Sequence, residues 1–567
     1  MRLELNTFSF YGSYMGLLVE NQHLFLRSLH GDSKANMNSL ELIPLYHQQV
    51  VTDFTTKMTA TSVTISTKFG QLNLTFGDKD TLVFESNTQL GLKICSQPKF
   101  NFEYSYQLGS AEQPYYIINS YKNLTKYLVY TLAGTDQLSQ ELQVDTTGSN
   151  STAHNRSDIL VQPNAAGKMV VAIQEIQHNM ANPHWELPEF ETLVAQNKQK
   201  MADFITTSQL TKCPQKFKSI YQDAYYILWS DTVAPTGLLH YPSVYASNNH
   251  FPGVWTWDHC FMALALMRTH PDLAWAQMAT VFDYQDAVGQ LPGSISDSTI
   301  RWNFSKPPIH GLIFAEMLRV MSLTTAQKQQ IYRWISKQVN YLVTYRDTNH
   351  DGIVEYLHGN DSGMDNSTVF KHQVVVDSPD LTAYLIMDYD LLAKLATELQ
   401  LTTANHWQQQ AKALSQRLVT TFFDKESLPF ARETQTKQAI QSQSLLPLMS
   451  LTANRYLPTA LNQAMVKQLK THFMTTYGLA TEALASPDYH ADSYWRGAVW
   501  APSTILIYLA LEQLGETTLA NQLKQGLCHM IRQSGFAENF DAKTGQGLRD
   551  RSFSWTASAL IYLLEVV

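Results

Sequence analysis

Up to about residue 180 the apolar positions recur with a period of two. Leu72, Leu74 and Phe76 alternate with Asn73 and Thr75, Gly77-Asp78-Lys79-Asp80 turns the chain, and Thr81-Leu82-Val83-Phe84 follows. Val63-Thr64-Ile65-Ser66-Thr67 alternates in the same way, while Tyr127 to Tyr130 and Met169 to Ile173 are apolar runs of strand length. Many short strands separated by turn residues, with no helical run among them, predict an antiparallel β-sandwich over residues 1–180. No cluster of side chains there asks for chemistry, so packing is its expected role. Residues 181–213 read as a linker with a helix, because Asn182-Pro183 and Leu187-Pro188 interrupt structure and a polar helix-compatible stretch runs from Glu189 to Ile205.

From about residue 214 to 567 the period is 3.6. Helical segments are expected to start near Lys216, Asp258, Pro271, Pro307, Thr325, Ser378, Thr403, Ser444, Leu461, Ala501, Thr517 and Ser554. Links from even to odd segments are short, as in Arg268-Thr269-His270-Pro271 and Gly515-Glu516-Thr517, whereas links from odd to even segments are long. In a closed ring of antiparallel hairpins all the long links emerge at one end, and long loops in a compact domain are usually functional. The parity predicts an (α/α)6 barrel with one funnel-shaped site.

The long loops contain Trp255-Thr256-Trp257-Asp258-His259, then Gly289-Gln290-Leu291-Pro292-Gly293 with Arg301-Trp302-Asn303-Phe304, then Asp361-Ser362-Gly363-Met364-Asp365-Asn366-Ser367, Tyr494-Trp495-Arg496-Gly497, and Glu538-Asn539-Phe540-Asp541. Trp255, Trp257, Trp302, Trp495, Trp500 and Trp555 all lie in or beside them. A tryptophan offers a flat apolar surface with a donor at one edge, which matches a sugar ring with its C–H face and hydroxyl rim. Carboxylates, amides and arginine satisfy the hydroxyls. Part of the tryptophan set is expected to plug the barrel instead.

Cleaving a glycosidic bond takes two carboxyl groups, one on each side of the bond. Asp365 on the third loop and Glu538 on the sixth are remote along the chain, yet three hairpins apart in a six-hairpin ring, and so face one another. One must keep a proton, which partial desolvation favours.

At these loops the sequence resembles glycoside hydrolase family 63, which includes α-glucosidases and mannosylglycerate-type hydrolases, within a six-hairpin clan that also contains trehalases and glucoamylases. The resemblance rests on Trp257-Asp258, Pro307-Pro308, Ser362 to Ser367, Tyr494 to Gly497, and Glu538-Asn539 with Thr544-Gly545 and Gly547. It implies an inverting mechanism, with Asp365 as general acid, Glu538 as general base and carboxyls about 6.5–9.5 Å apart around a water. It also implies that Trp257, Asp258, Tyr494, Trp495 and Arg496 surround the sugar, joined by Gln290; Trp302 and Asn366 in the same loops are further candidates for binding it. The segment up to about residue 180 has no matching motif, and Thr368 stands where a proline is common.

Composition narrows the remaining choices. The chain has 567 residues with 41 basic and 49 acidic, a formal charge of −8, which advertises no nucleic-acid partner. Only 16% of residues are charged and 11% are aromatic, which indicates a large core and excludes disorder. Cys95, Cys213, Cys260 and Cys528 lie far apart and have neither metal nor disulfide spacing. The first residues lack a secretory leader and no stretch is long enough to span a membrane, so a cytoplasmic location is expected. Asp347, Asn349 and Asp351 open like a calcium loop, but His358 stands where the bidentate glutamate belongs, and a plain turn is the other reading. There is no phosphate-binding loop, and no cofactor is expected.

The sequence thus predicts an exo-acting, inverting α-glycosidase, α-glucosidase-like, for a small α-linked glycoside or oligosaccharide. An inverting phosphorylase, a rhamnosidase-like hydrolase and a sugar-binding protein without catalysis are the alternatives. The oligomeric state is not written in the chain.

Overall fold

The computed structural model describes every residue except 1–3, 5–6, 32–36, 97, 99–101, 145–152, 178–181, 206–212 and 566–567. The expected boundary near residue 180 and most of the N-terminal residues read for a leader lie outside the described residues.

Among the described residues, fifteen strands, from β1 (Met15–Glu20) to β15 (Met169–Ile176), form two antiparallel sheets. One runs β1, β2 (His23–Ser28), β3 (Asn38–Tyr46), β9 (Leu90–Ser96), β14 (Ala153–Gln162) and β13 (Thr135–Val144), with β4 (Gln49–Val50) on β3; the other runs β10 (Tyr104–Gly109), β11 (Pro114–Ser120), β12 (Thr125–Ala133), β15, β8 (Thr81–Ser86), β7 (Gly70–Asp78), β6 (Val63–Thr67) and β5 (Thr55–Met58). Leu72, Leu74 and Phe76 on β7 (Gly70–Asp78) face the core as their alternation requires. Thr75, on the opposite face, is nevertheless buried, because helix α1 (Phe190–Phe204) lies across β7 and the Asn197 amide donates to Phe76 O at 2.7 Å. The apolar run Tyr127–Tyr130 on β12 (Thr125–Ala133) is buried on both faces for a related reason: Trp185, Leu187 and Leu193 cover the outer one.

Twelve helical segments then form the barrel. The even ones are Asp258–Leu266, His310–Val320, Pro379–Glu398, Leu446–Tyr456, Ala501–Leu514 and Ser554–Glu565. Each packs on the next and the last packs on the first, closing an inner ring. Residues 258–266 and 554–564 are buried on every side, which is what an inner position demands of a helix. The odd segments, such as Thr325–Tyr345 and Thr517–Ser534, are polar on one face and form the outer layer. Local signals set several ends: Thr324 and Gln327 make a capping box, and Gly515 takes the left-handed conformation that stops Ala501–Leu514.

Two expected helices differ. The Ser444 segment is a 3₁₀ helix, in which the Ser450 and Thr452 hydroxyls donate to Pro447 O and Met449 O and favour the tighter turn. The segment expected from Pro307 begins at His310. Among the described residues no helix is long and apolar enough to cross a membrane, and all four cysteines are buried and unbridged.

The six long loops emerge at one end, and short antiparallel ladders stitch them in pairs. Val254–Trp255, Ser294–Ile295 and Ile300–Arg301 join the first and second loops. Glu355–Tyr356, Val376–Asp377 and Arg432–Glu433 join the third and fourth, and Val499–Trp500, Asn539–Phe540 and Gly547–Leu548 join the fifth and sixth.

Candidate active site

A cavity of about 180 Å³ opens among these loops. Its walls include Trp255, Trp257, Asp258, Arg301, Lys306, Asn360, Asp365, Tyr494, Trp495, Glu538 and Trp555. Asp365 and Glu538, far apart in the chain, therefore face one space.

Each carboxyl is delivered by a local device. Asp258 is the first residue of its helix, buried at the N-terminal end of the helix. Burial pushes it up to about 8; Lys306 opposes the shift, and the neighbouring Glu538 and Asp365 add to it. Asp365 follows the turn Gly359–Ser362, which ends at Gly363 in a left-handed conformation (φ 73°). Burial raises its pKa, while Lys306 Nζ, 3.3 Å from Oδ1, pulls the other way. Its side chain stays 35% exposed. Glu538 precedes the ladder Asn539–Phe540 and is pushed up to about 7 by burial. Its Oε2 accepts from the Asp550 backbone amide at 3.3 Å and its carboxyl pairs with the Tyr494 hydroxyl, both favouring the ionised form. Interacting carboxyls of this kind titrate as a group.

The aromatic wall is a packed array. Trp495 stacks on Trp500 at 3.9 Å between ring centres, Trp555 meets Trp500 edge-on at 5.5 Å, and Trp257 lies 6.1 Å from Trp495. Indole N–H groups hold backbone: Trp555 donates to Glu538 O and Trp500 to Tyr494 O. Tyr494 sits at φ 59°, a conformation that a bulky residue adopts only when its surroundings impose it.

Of the residues expected at the sugar, Trp257, Asp258, Tyr494 and Trp495 line the cavity with the two carboxyls. Four others are placed elsewhere. Asn366 accepts from the Trp495 amide at 2.8 Å and donates to Ser493 O at 3.0 Å, so it clamps the third loop to the fifth. Arg496 donates to Asn366 O at 2.7 Å and completes that clamp. Trp302 is 39% exposed, and the Gln290 amide braces its carbonyl at 3.1 Å. Both belong to the second loop, and neither is among the residues that line the cavity.

Lys306 is a cavity residue that the sequence does not single out, although Pro307-Pro308 beside it carries part of the resemblance. Its Nζ donates to Asn360 O at 2.9 Å as well as to Asp365, and its side chain is almost wholly buried. The Ser305 amide donates to Asp361 Oδ1 at 3.1 Å and fixes that approach. A lysine before two prolines carries no signal of its own; only the folded loop brings it to the carboxyl.

Two groups offer donor atoms of the kind that hold an ion. Asp347 and Asn349 accept from the Asp351 and Gly352 amides, and Asp351 Oδ2 pairs with Arg432 at 2.7 Å and Lys437 at 2.5 Å. Two cations already occupy the carboxylate that a calcium ion would need, so the residues do not fit that ion. His259, Cys260 and His310 bring possible donor atoms within 4.8 Å of one another. However, His310 Nε2 is bonded to Thr256 O and its Nδ1 to the Gln338 amide, while His259 Nδ1 is bonded to Trp255 O. The cluster props up the strand before Trp257.

A family model described as the mannosylglycerate hydrolase MGH1-like glycoside hydrolase domain matches residues 251–556, which include every cavity-lining residue named above. The chain belongs to this family. As an MGH1-like glycoside hydrolase it is 23% identical over 403 residues to a mannosylglycerate hydrolase of Rubrobacter radiotolerans, covering 55% of this chain and 90% of that one. The fold of a family 63 mannosylglycerate hydrolase from Thermus thermophilus, solved with Tris, covers 60% of this chain and 99% of that one, with a TM-score of 0.54 at 18% identity. A bacterial glucoamylase, solved with acarbose, covers 99% of this chain and 92% of its own at a TM-score of 0.64 and 12% identity. The six-hairpin barrel is thus shared with both, and the preceding sandwich lies outside the family match.

Proposed function

We propose that this glycoside hydrolase is exo-acting and inverting, and cleaves a small α-linked glycoside in one step. The observation that carries the reading is the shared cavity of Asp365 and Glu538, small and backed by indole rings. Asp365 gives its proton to the glycosidic oxygen as the C–O bond breaks. Glu538 takes a proton from the water that attacks the anomeric carbon from the other face, and the released sugar has the opposite anomeric configuration. Asp258 at the inner end holds sugar hydroxyls, and Trp257 and Trp495 wall the ring. Burial raises both carboxyls, so the shifts alone do not separate the roles; the Tyr494 and Asp550 hydrogen bonds oppose the shift at Glu538 and favour its carboxylate.

The test is a panel of α-linked disaccharides with glucosylglycerate and mannosylglycerate, read by anomer-resolved NMR. The two carboxylate-bearing glycosides belong in it because Arg301 and Lys306 share the cavity wall and the relatives above are named for the latter substrate. Release of the β-anomer from one of them is expected. Release of the α-anomer, or turnover only with added phosphate, overturns the reading. Roles separate with an α-glucosyl or α-mannosyl fluoride, whose leaving group needs no acid: Asp365→Asn keeps fluoride hydrolysis but loses about 10²–10⁴-fold on the natural bond, and Glu538→Gln loses both.

A further inference from the structure

The sandwich lies outside the family match, yet one of its side chains enters the catalytic end of the barrel. Arg27, on β2 (His23–Ser28), is buried and points into the first long loop. Its Nη2 donates to Asn249 O at 2.6 Å and its Nη1 to Asn249 Oδ1 at 2.9 Å and Asn248 O at 3.3 Å. The Asn249 amide donates in turn to Asp550 Oδ1 at 2.7 Å, and Ser247 Oγ to Asp550 Oδ2 at 2.5 Å. The backbone amide of Asp550 ends the path on Glu538 Oε2. Arg27 is thus three hydrogen bonds from the carboxylate, with Asn249 and Asp550 between.

We propose that Arg27 is a positioning residue for Glu538: through Asn249 it holds Asp550 in place, and its charge offsets the negative charge that Asp550 would otherwise press on Glu538. The proposal rests on Glu538 being the base. Other charges face the same groups. Arg551, Glu4 and the buried Asp231 surround Asp550. Arg549, Asp258 and Asp365 surround Glu538, with Tyr494 hydrogen-bonded to it. Of these, Arg27 and Glu4 come from the N-terminal segment, and Arg27 is the cation of the two. Removing a cation near a cluster of carboxylates makes ionisation harder, so the base should need a higher pH.

The experiment measures kcat/KM against pH for the full chain on α-glucosyl or α-mannosyl fluoride, whichever the wild type turns over faster. No general acid is needed there, so the acidic limb reports ionisation of the coupled carboxyls that include the base. Arg27→Met is expected to move that limb upward by about half a pH unit or more, and Arg27→Lys to restore most of it. Should Arg27→Met fail to fold, Asn249→Ala breaks the same path from the barrel side and is expected to give the same upward movement. His30→Gln, which cuts a different sandwich–barrel contact, is expected to leave the limb where it is. A pH-independent loss in Arg27→Met or Asn249→Ala, with the limb unmoved, reduces Arg27 to a structural tie and overturns the proposal. Wild-type turnover by Glu538→Gln would instead sink the assignment of the base.

Discussion

Asp258 is a residue that works against folding. Its carboxyl is held near 8 in the folded chain against an ordinary value of 3.8. Between those values the unfolded chain gives up the proton and the native one keeps it, so native stability falls as pH rises from about 4 to about 8. Asp258→Asn removes that cost. The variant is expected to melt higher than the wild type at pH 8, by the equivalent of about 0.5–2 kcal/mol, with the gain vanishing toward pH 4 and activity lost throughout. Calorimetry at the two pH values checks it, and an equal gain at both contradicts the account. Glu538 makes the companion prediction. A base pushed up to about 7 works only when ionised, so hydrolysis of the glycosyl fluoride by the wild type should fall away below about pH 7.

Among the elements, the turn before Asp365 depends on Gly363. A Cβ there would meet the Trp257 ring at 2.7 Å, and the left-handed backbone disfavours any side chain. Gly363→Ala should cost about 1–2 kcal/mol and lower kcat/KM by shifting both Trp257 and Asp365; unchanged kinetics would show that the turn yields without moving the carboxyl. At this scale the sequence is informative where one force dominates. Inner helices such as Asp258–Leu266 are apolar on most sides and outer ones such as Thr517–Ser534 on one side, so the helical period is readable along the chain. Asp365 and Glu538, which share the cavity, stand out in the sequence because glycosidic cleavage calls for two acids on opposite loops. Asn366 and Arg496 sit beside cavity residues in the chain, and only the folded clamp shows that they bind loops to each other. Lys306 is hidden because its partners, Asn360 and Asp365, reach it solely through the docking of the second loop on the third. The 3₁₀ geometry at Leu446–Tyr456 comes from hydroxyl-to-backbone bonds that a helical period does not encode.

For the whole molecule, the sandwich and the barrel share one core. Phe10 meets Trp229 edge-on at 4.9 Å, and the Tyr226 hydroxyl donates to Thr7 O at 2.9 Å. His30 of the sandwich, stacked on Tyr14, is bonded to Asp297 of the second loop at 2.8 Å. Cutting the chain between the two would expose that aromatic seam. Calorimetry of the full protein should therefore show one cooperative transition, and a barrel expressed from residue 214 onward should aggregate. Two separate transitions would show that the halves are independent.

The ladders that stitch neighbouring loops carry an evolutionary consequence. Asp258, Asp365 and Glu538 each belong to, or directly follow, a different stitched pair. A loop exchanged alone would arrive without its hydrogen-bonding partner strand, whereas two adjacent loops can be transplanted together with their ladder intact. Substrate preference in this lineage should therefore change in blocks of two loops, and engineered chimeras built on that unit should keep their catalytic geometry where single-loop grafts lose it.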